Sequence, residues 1–173
     1  SWIWRSRSSA VSFLREGLAR WEALLPGSLG LEHVRGGAGL TGDPEEDFWS
    51  SVTAQGNREK MCGIPLVGPH RDDLLILRGT REAAGSLSRG QKRRASVALM
   101  LAAGQAVEDR LKRKPLLLLD EVASELDEEG RSLVVESLQE TGWQTFATAA
   151  DQVVSAWPGK TWRVDTGEIF PLP

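Results

Sequence analysis

"PLLLLDEVASELDEEG", residues 115–130, decides the fold. Its four consecutive leucines, Leu116–Leu119, carry no polar alternation, which predicts a short strand covered on both faces, as in a parallel sheet. The run ends abruptly in Asp120 and Glu121, and ligands of open α/β sheets gather outside the carboxyl ends of the strands. A carboxylate there can hold a magnesium ion, directly or through water. The next carboxylate can orient or polarise an attacking water, which phosphoryl transfer requires. Taken alone, the same residues also fit a strand that simply ends in two solvated acids.

Downstream, the pattern predicts a helix over 128–140, a second buried strand over 145–148, and a hairpin over 162–169 turning at Thr166-Gly167. Upstream, a long helix over 90–113 is entered through Ser88, a good N-cap, with Val97, Ala98, Leu101 and Ala102 along one face. Strand and helix in alternation is the grammar of an α/β lobe. Before it, residues 74–77 read as a strand turned back by Arg78-Gly79-Thr80. The first third is more helical. Val11, Leu14, Leu18, Trp21 and Leu25 give helical spacing over 4–25, Pro26-Gly27 ends that helix, and a second helix is expected over 47–61. A short strand over 29–34 and a glycine-rich acidic loop separate the two. The expected division is a mostly helical subdomain over 1–66 and an α/β lobe over 67–173.

The 173-residue chain is 40% hydrophobic and 26% charged, an ordinary globular composition. A net charge of −3 gives no global nucleic-acid signal, so any basic surface must be local. Cys62 is the only cysteine, which excludes an internal disulfide and suits a reducing cytosol. The longest apolar runs are far too short to span a bilayer.

"SLSRGQKRRAS", residues 86–96, supplies a second set of chemistry-bearing residues. A helix N-terminus presents unpaired N–H groups and partial positive charge to an anion. Ser88 adds a hydroxyl, Gly90 removes a side chain so that an anion can approach, and Gln91 adds an amide. The alternative is an N-cap followed by a solvated basic turn.

The combination is more specific than its parts. A Leu-Ser-x-Gly-Gln helix start, a strand ending Asp-Glu, and then Ser-Glu-Leu-Asp resembles, in that order, the signature motif, Walker B strand and D-loop of ABC-type ATPases. Gly68-Pro69-His70-Arg71-Asp72-Asp73-Leu74 narrows the branch, because it resembles the hallmark of the RecF family of bacterial recombination mediators. A kinase reading of His70-Arg71-Asp72 fails, since the asparagine expected five residues later is absent.

The resemblance implies that the chain holds the C-terminal part of an ABC-ATPase head plus a helical subdomain inserted in it. It implies that Ser88, Arg89, Gly90 and Gln91 grip the γ-phosphate of ATP held by the opposite subunit. Asp120 would serve Mg, Glu121 would be the catalytic carboxylate, and Ser124 and Asp127 would cross a dimer interface. Proteins of this family are cytoplasmic, dimerise with ATP, bind DNA at single-strand–double-strand junctions, and act with RecR and RecO to help load RecA in recombinational repair, replication and the SOS response. Lys92, Arg93 and Arg94, with Arg89, could contact DNA phosphates; a solvated face partly serving nucleotide across the interface is the slightly favoured alternative.

Three departures stand out. The only glycine spacing like a phosphate loop, Gly37-Ala38-Gly39-Leu40-Thr41-Gly42, runs into Asp43-Pro44 where a lysine and a hydroxyl are needed. The phosphate loop is therefore expected in a portion preceding Ser1. Arg89 stands where the family usually has glutamine. Ala149 and Ala150 follow the strand after Walker B, leaving no obvious side chain there to sense the γ-phosphate. Two rivals stay open, another SMC-like ATPase head and a non-catalytic DNA- or protein-binding module.

Overall fold

The computed structural model describes residues 2–37, 42–122, 125–150 and 157–172. In chain order the elements are α1 (Trp2–Leu18), a 3-10 turn (Ala19–Leu24), β1 (Gly30–Val34), α2 (Pro44–Cys62), β2 (Asp73–Arg78), β3 (Arg81–Glu82), α3 (Arg89–Leu111), β4 (Leu116–Leu119), α4 (Glu128–Thr141), β5 (Gln144–Ala147), β6 (Trp162–Asp165) and β7 (Glu168–Pro171). They fall into two compact units. One takes the residues up to Arg20 with Gly27–Leu87; the other takes Trp21–Pro26 with the residues from Ser88 onward. No helix among the described residues is long and apolar enough to cross a membrane.

The second unit is the α/β lobe. β4 and β5 pair in parallel, Leu116 opposite Gln144 through Leu119 opposite Ala147, and α4 makes the crossover that parallel strands require. Ala95, Val97, Ala98, Leu101 and Ala102 of α3, Val134 and Leu138 of α4, and Trp143 are buried with Leu117 and Leu119. Gly104 is needed for packing. A Cβ there would stand 2.6 Å from the Trp143 ring, whose Nε1 donates to Glu108 Oε2 of the same helix at 2.7 Å.

One expectation is corrected. β4 is covered on one face only: Leu117 and Leu119 are 6% and 7% exposed, while Leu116 and Leu118 are 54% and 70% exposed. Side chains alternate across a strand, so the two uncovered leucines share a face, near exposed Phe146 of β5.

In the first unit α1 and α2 accompany an antiparallel sheet ordered β1-β2-β3. β1 runs against β2 from Gly30 opposite Leu77 to Val34 opposite Asp73, and Gly79, at φ 63°, turns β2 into β3. This corrects the expected division near Leu66. Segment 73–82 was assigned to the second lobe, but it pairs with β1 and so belongs to the first unit, which ends at Leu87. The helix expected over 4–25 also ends early, at Leu18. It tightens into the 3-10 turn, where Trp21 leaves helical geometry (φ −104°, ψ 27°).

Asp72, inside the Gly-Pro-His-Arg-Asp-Asp stretch, organises this unit. Its carboxylate is almost fully buried. It accepts from Trp4 Nε1 at 2.8 Å, Arg7 Nη1 at 2.6 Å and the Gly36 N–H at 2.9 Å. His33 Nε2 lies 3.1 Å away, and its Nδ1 meets Ser8 Oγ at 3.0 Å. Gly36 must be glycine, since a Cβ there would fall 2.5 Å from Arg71 Cβ and 2.6 Å from the Gly68 carbonyl. Burial disfavours the charged form of Asp72, but donors from Gly36, His33, Arg7 and Trp4 outweigh it and hold the carboxyl below its ordinary value.

Removing one partner of such a buried charge cluster costs about 3–5 kcal/mol, so Asp72→Ala should lose that much in urea unfolding at neutral pH. The pH dependence has a definite sign. The folded-state pKa lies below that of the unfolded chain, about 3.9. The stabilisation is therefore complete above that value and is lost as pH falls through the folded one. The gap between wild type and Asp72→Ala should narrow only at the acid end; a gap unchanged down to about pH 2 would refute a charged Asp72 as its source.

Candidate functional site

Ser88 caps α3 as the sequence requires. Its Oγ accepts from the Gln91 N–H at 3.2 Å, and the Gln91 side chain reaches back to accept from the Ser88 N–H at 3.0 Å, a complete capping box. By helix geometry the N–H groups of Arg89 and Gly90 have no acceptor within the helix. Ser88 and Arg89 are exposed, and Gly90 and Gln91 are half-buried.

Gly90 has a second reason to be glycine. A Cβ there would lie 2.9 Å from the carbonyl of Glu125. The mouth of α3 is thus packed directly on the turn that follows Asp120-Glu121. Arg89 Nη1 lies 3.6 Å from Glu125 Oε1 across that contact, both side chains well exposed. Glu125 takes a left-handed backbone, φ 63°.

Asp120 and Glu121 stand exposed at the carboxyl end of β4. Thr148, just past β5, fastens them. Its hydroxyl donates to Asp120 Oδ1 at 2.5 Å and accepts from the Glu121 N–H at 3.0 Å. The Thr148 main chain adds N–H to Leu119 O at 2.8 Å and C=O from Val122 N at 3.3 Å. Glu121 itself has φ 46°, uncommon for a residue with a side chain and of the kind that clusters at functional sites. Sequence reasoning looked for a γ-phosphate sensor at Ala149 and Ala150 and passed over Thr148, one residue earlier. The signal was there: a hydroxyl at the end of the strand predicted beside Walker B.

Asp127 is the N-cap of α4 and accepts from the Gly130 N–H at 2.8 Å; Leu126 beside it is buried. Ser124 lies outside the described residues. Of the basic run, Lys92 is exposed, while Arg94 extends toward α4, its Cδ 3.4 Å from where a Gly130 Cβ would stand. Arg93 turns inward and donates to the carbonyls of Asp120 and Glu121, the latter at 2.8 Å.

The glycine stretch at 37–42 ends in an occupied helix mouth. Asp43 caps α2, accepting from Glu45 N at 2.9 Å and Glu46 N at 3.1 Å. Hydrogen bonds from the Glu46 and then the Glu45 N–H hold its carboxyl below the ordinary value. A side-chain carboxylate fills the place a phosphate would need.

No group of three or more His, Cys, Asp or Glu side chains able to hold a metal gathers among the described residues. What β4 and β5 offer is an all-oxygen pair, the Asp120 carboxylate and Thr148 hydroxyl. That suits magnesium, which takes one or two carboxylates and completes its shell with water and substrate phosphates.

No family model matches the chain. Curated relatives do: it is 37% identical over 131 residues to the DNA replication and repair protein RecF of Roseiflexus castenholzii, covering 73% of this chain and 33% of that protein. It is 34% identical over 156 residues to RecF of Herpetosiphon aurantiacus, covering 87% and 39%. The chain thus spans between a third and two-fifths of the curated relatives it matches. Among solved structures, the recombination mediator RecF with ATPrS in the RecFOR pathway superposes with TM-score 0.71 at 25% identity, over 97% of this chain and 46% of that one. An SMC head bound to the C-terminal winged-helix domain of ScpA shares the fold at TM-score 0.54, 16% identity, 95% of this chain and 43% of that one. The chain resembles a region of RecF, and its α/β fold is that of part of an ABC-type ATPase head.

Replacing Thr148 by valine keeps its shape and removes both hydroxyl hydrogen bonds. Such bonds contribute about 0.5–1.5 kcal/mol each, so Thr148→Val should lower stability by about 1–3 kcal/mol, and Thr148→Ser should recover most of the loss. Urea titrations of the three proteins check this; a serine variant as weak as the valine one would refute the hydroxyl's part.

Proposed function

We propose that this chain carries the signature helix, Walker B strand and D-loop of a RecF-type ATPase, and that the protein containing it closes on DNA as an ATP-dependent dimer. The observation that carries this reading is the direct packing of the α3 mouth on the turn after Asp120-Glu121, through Gly90 and the Glu125 carbonyl. Two motifs separated in sequence thereby form one surface, with exposed N–H groups beside exposed carboxylates.

In this reading the N–H groups of Arg89 and Gly90, with Ser88 and Gln91, receive the γ-phosphate of a nucleotide held by the opposite subunit. Asp120, steadied by Thr148, holds magnesium, which when bound neutralises phosphate charge. Glu121 orients the attacking water and takes its proton. Ser124 and Asp127 lie at the subunit interface. Phosphate loop and glutamine loop come from sequence outside this chain. Partners are DNA at single-strand–double-strand junctions, RecR, RecO and, through them, RecA, in the cytoplasm. Hydrolysis is slow and releases the clamp.

Asp43 favours one alternative for the chain taken by itself, a binding module without catalysis, because its carboxylate fills the only glycine-flanked helix mouth that could have served as a phosphate loop.

Calorimetry of this chain with ATP and magnesium should accordingly show binding no tighter than millimolar. Sub-micromolar affinity would mean that a phosphate loop has been misplaced. In the protein that includes the phosphate loop, Glu121→Gln should accumulate an ATP-bound dimer with nucleotide affinity almost intact, since it preserves shape and removes the charge that orients water. Ser88→Arg should abolish dimerisation and leave monomer ATP binding unchanged. Light scattering after size exclusion, with and without ATP, separates the outcomes. Failure of Glu121→Gln to accumulate dimer, together with dimerisation by Ser88→Arg, refutes the composite site.

A further inference from the structure

Arg93 sits in the basic run that follows the α3 mouth, where an arginine reads most simply as a contact for a nucleic-acid phosphate. Its surroundings say otherwise. One guanidinium nitrogen, Nη2, donates to the main-chain carbonyls of both Asp120 and Glu121, twenty-seven and twenty-eight residues away. The Nε–H is buried and finds no hydrogen-bond partner among the described residues. A guanidinium reaching for DNA stays in water; this one accepts an unpaired buried donor in order to place its fork against two successive carbonyls.

The two carbonyls it grips flank the strained residue. Glu121 holds φ 46°, and a non-glycine residue keeps such a conformation only where its surroundings over-determine it. The Thr148 hydroxyl takes the Glu121 N–H. Arg93 takes the Glu121 carbonyl and the one before it. Donor and acceptor of the same residue are thus fixed from two different elements, β5 and α3.

We propose that Arg93 is a positioning residue that holds the Asp120–Glu121 turn in its left-handed conformation, so that the signature helix and the catalytic carboxylate move as one piece. Its catalytic meaning rests on the ATPase reading above; its hold on the turn does not. Arginine is suited to this because its planar fork can serve both carbonyls at once, whereas the point charge of lysine cannot do so with fixed geometry.

The test therefore has two arms. Amide hydrogen exchange on this chain compares wild type, Arg93→Met and Arg93→Lys. Exchange at the Glu121 and Val122 amides should accelerate at least about tenfold in both variants, with α4 amides unchanged, because each opening of the turn exposes those donors. Unchanged rates at Glu121 and Val122, or equal acceleration throughout the lobe, would overturn the hold. The second arm measures ATP turnover in the protein that includes the phosphate loop. Arg93→Met should lower kcat by about ten- to a hundredfold with KM within about twofold, the signature of an interaction that acts in the transition state. A raised KM with kcat intact would overturn the positioning of Glu121. Absence of turnover in wild type would strike the ATPase reading and the catalytic meaning together, while the first arm still decides whether Arg93 holds the turn.

Discussion

Two parallel strands meet the site through a single hydroxyl. Parallel pairing brings the carboxyl ends of β4 and β5 side by side, so whatever follows β4 must find its hydrogen bonds from whatever follows β5. Thr148 satisfies both sides of that requirement: it gives its proton to Asp120 and takes the amide proton of Glu121. A residue with only a donor or only an acceptor could not do this, and alanine could do neither. The reverse turn that carries Glu121 is affordable because that amide is already paired. From there the chain passes to Glu125, whose carbonyl lies so close to Gly90 that no side chain fits between them. Strand end, turn and helix mouth are consecutive consequences of one register.

The first unit is governed by a different kind of constraint, a buried charge. Asp72 draws in donors from α1, from the strand at His33 and from the backbone at Gly36. An ionised carboxylate inside a protein is tolerable only when its lone pairs are filled, so these elements must converge on it. The Gly68-Pro69-His70-Arg71-Asp72-Asp73 stretch therefore carries architectural weight within its own unit. Its residues stood out in the sequence for their charge, yet only Asp72 is the hub.

What could be read from the sequence was what depends on neighbours along the chain. Ser88 and Gln91 form the capping box their spacing allows, the strands at 30–34, 73–78, 116–119 and 144–147 lie where apolar runs placed them, and the Thr166-Gly167 turn joins β6 to β7. What escaped depends on contacts between distant segments. Pairing of β1 with β2 moved the division of the chain from Leu66 to Leu87, because strand partners are not written locally. Arg93 looked like its neighbours Lys92 and Arg94 until the carbonyls of Asp120 and Glu121 were found in front of it. Thr148 was inside a strand prediction and so was not considered as a side chain with work at the site.

The leucines of β4 bring the remaining tension. A run of four aliphatics is suited to a strand covered on both faces, yet Leu116 and Leu118 are open beside Phe146. Polar alternation would serve a one-sided strand better, so sequence and environment disagree here, which is where interfaces are expected. The disagreement stops at Leu119. Beyond it, Asp120 and Glu121 are held by Thr148 and Arg93, Gln91 by Ser88, and Gly130 by Asp127, all within the same unit. None of these bonds involves the open face. The geometry of the strand tip is therefore a local property of this lobe, whatever lies over the leucines.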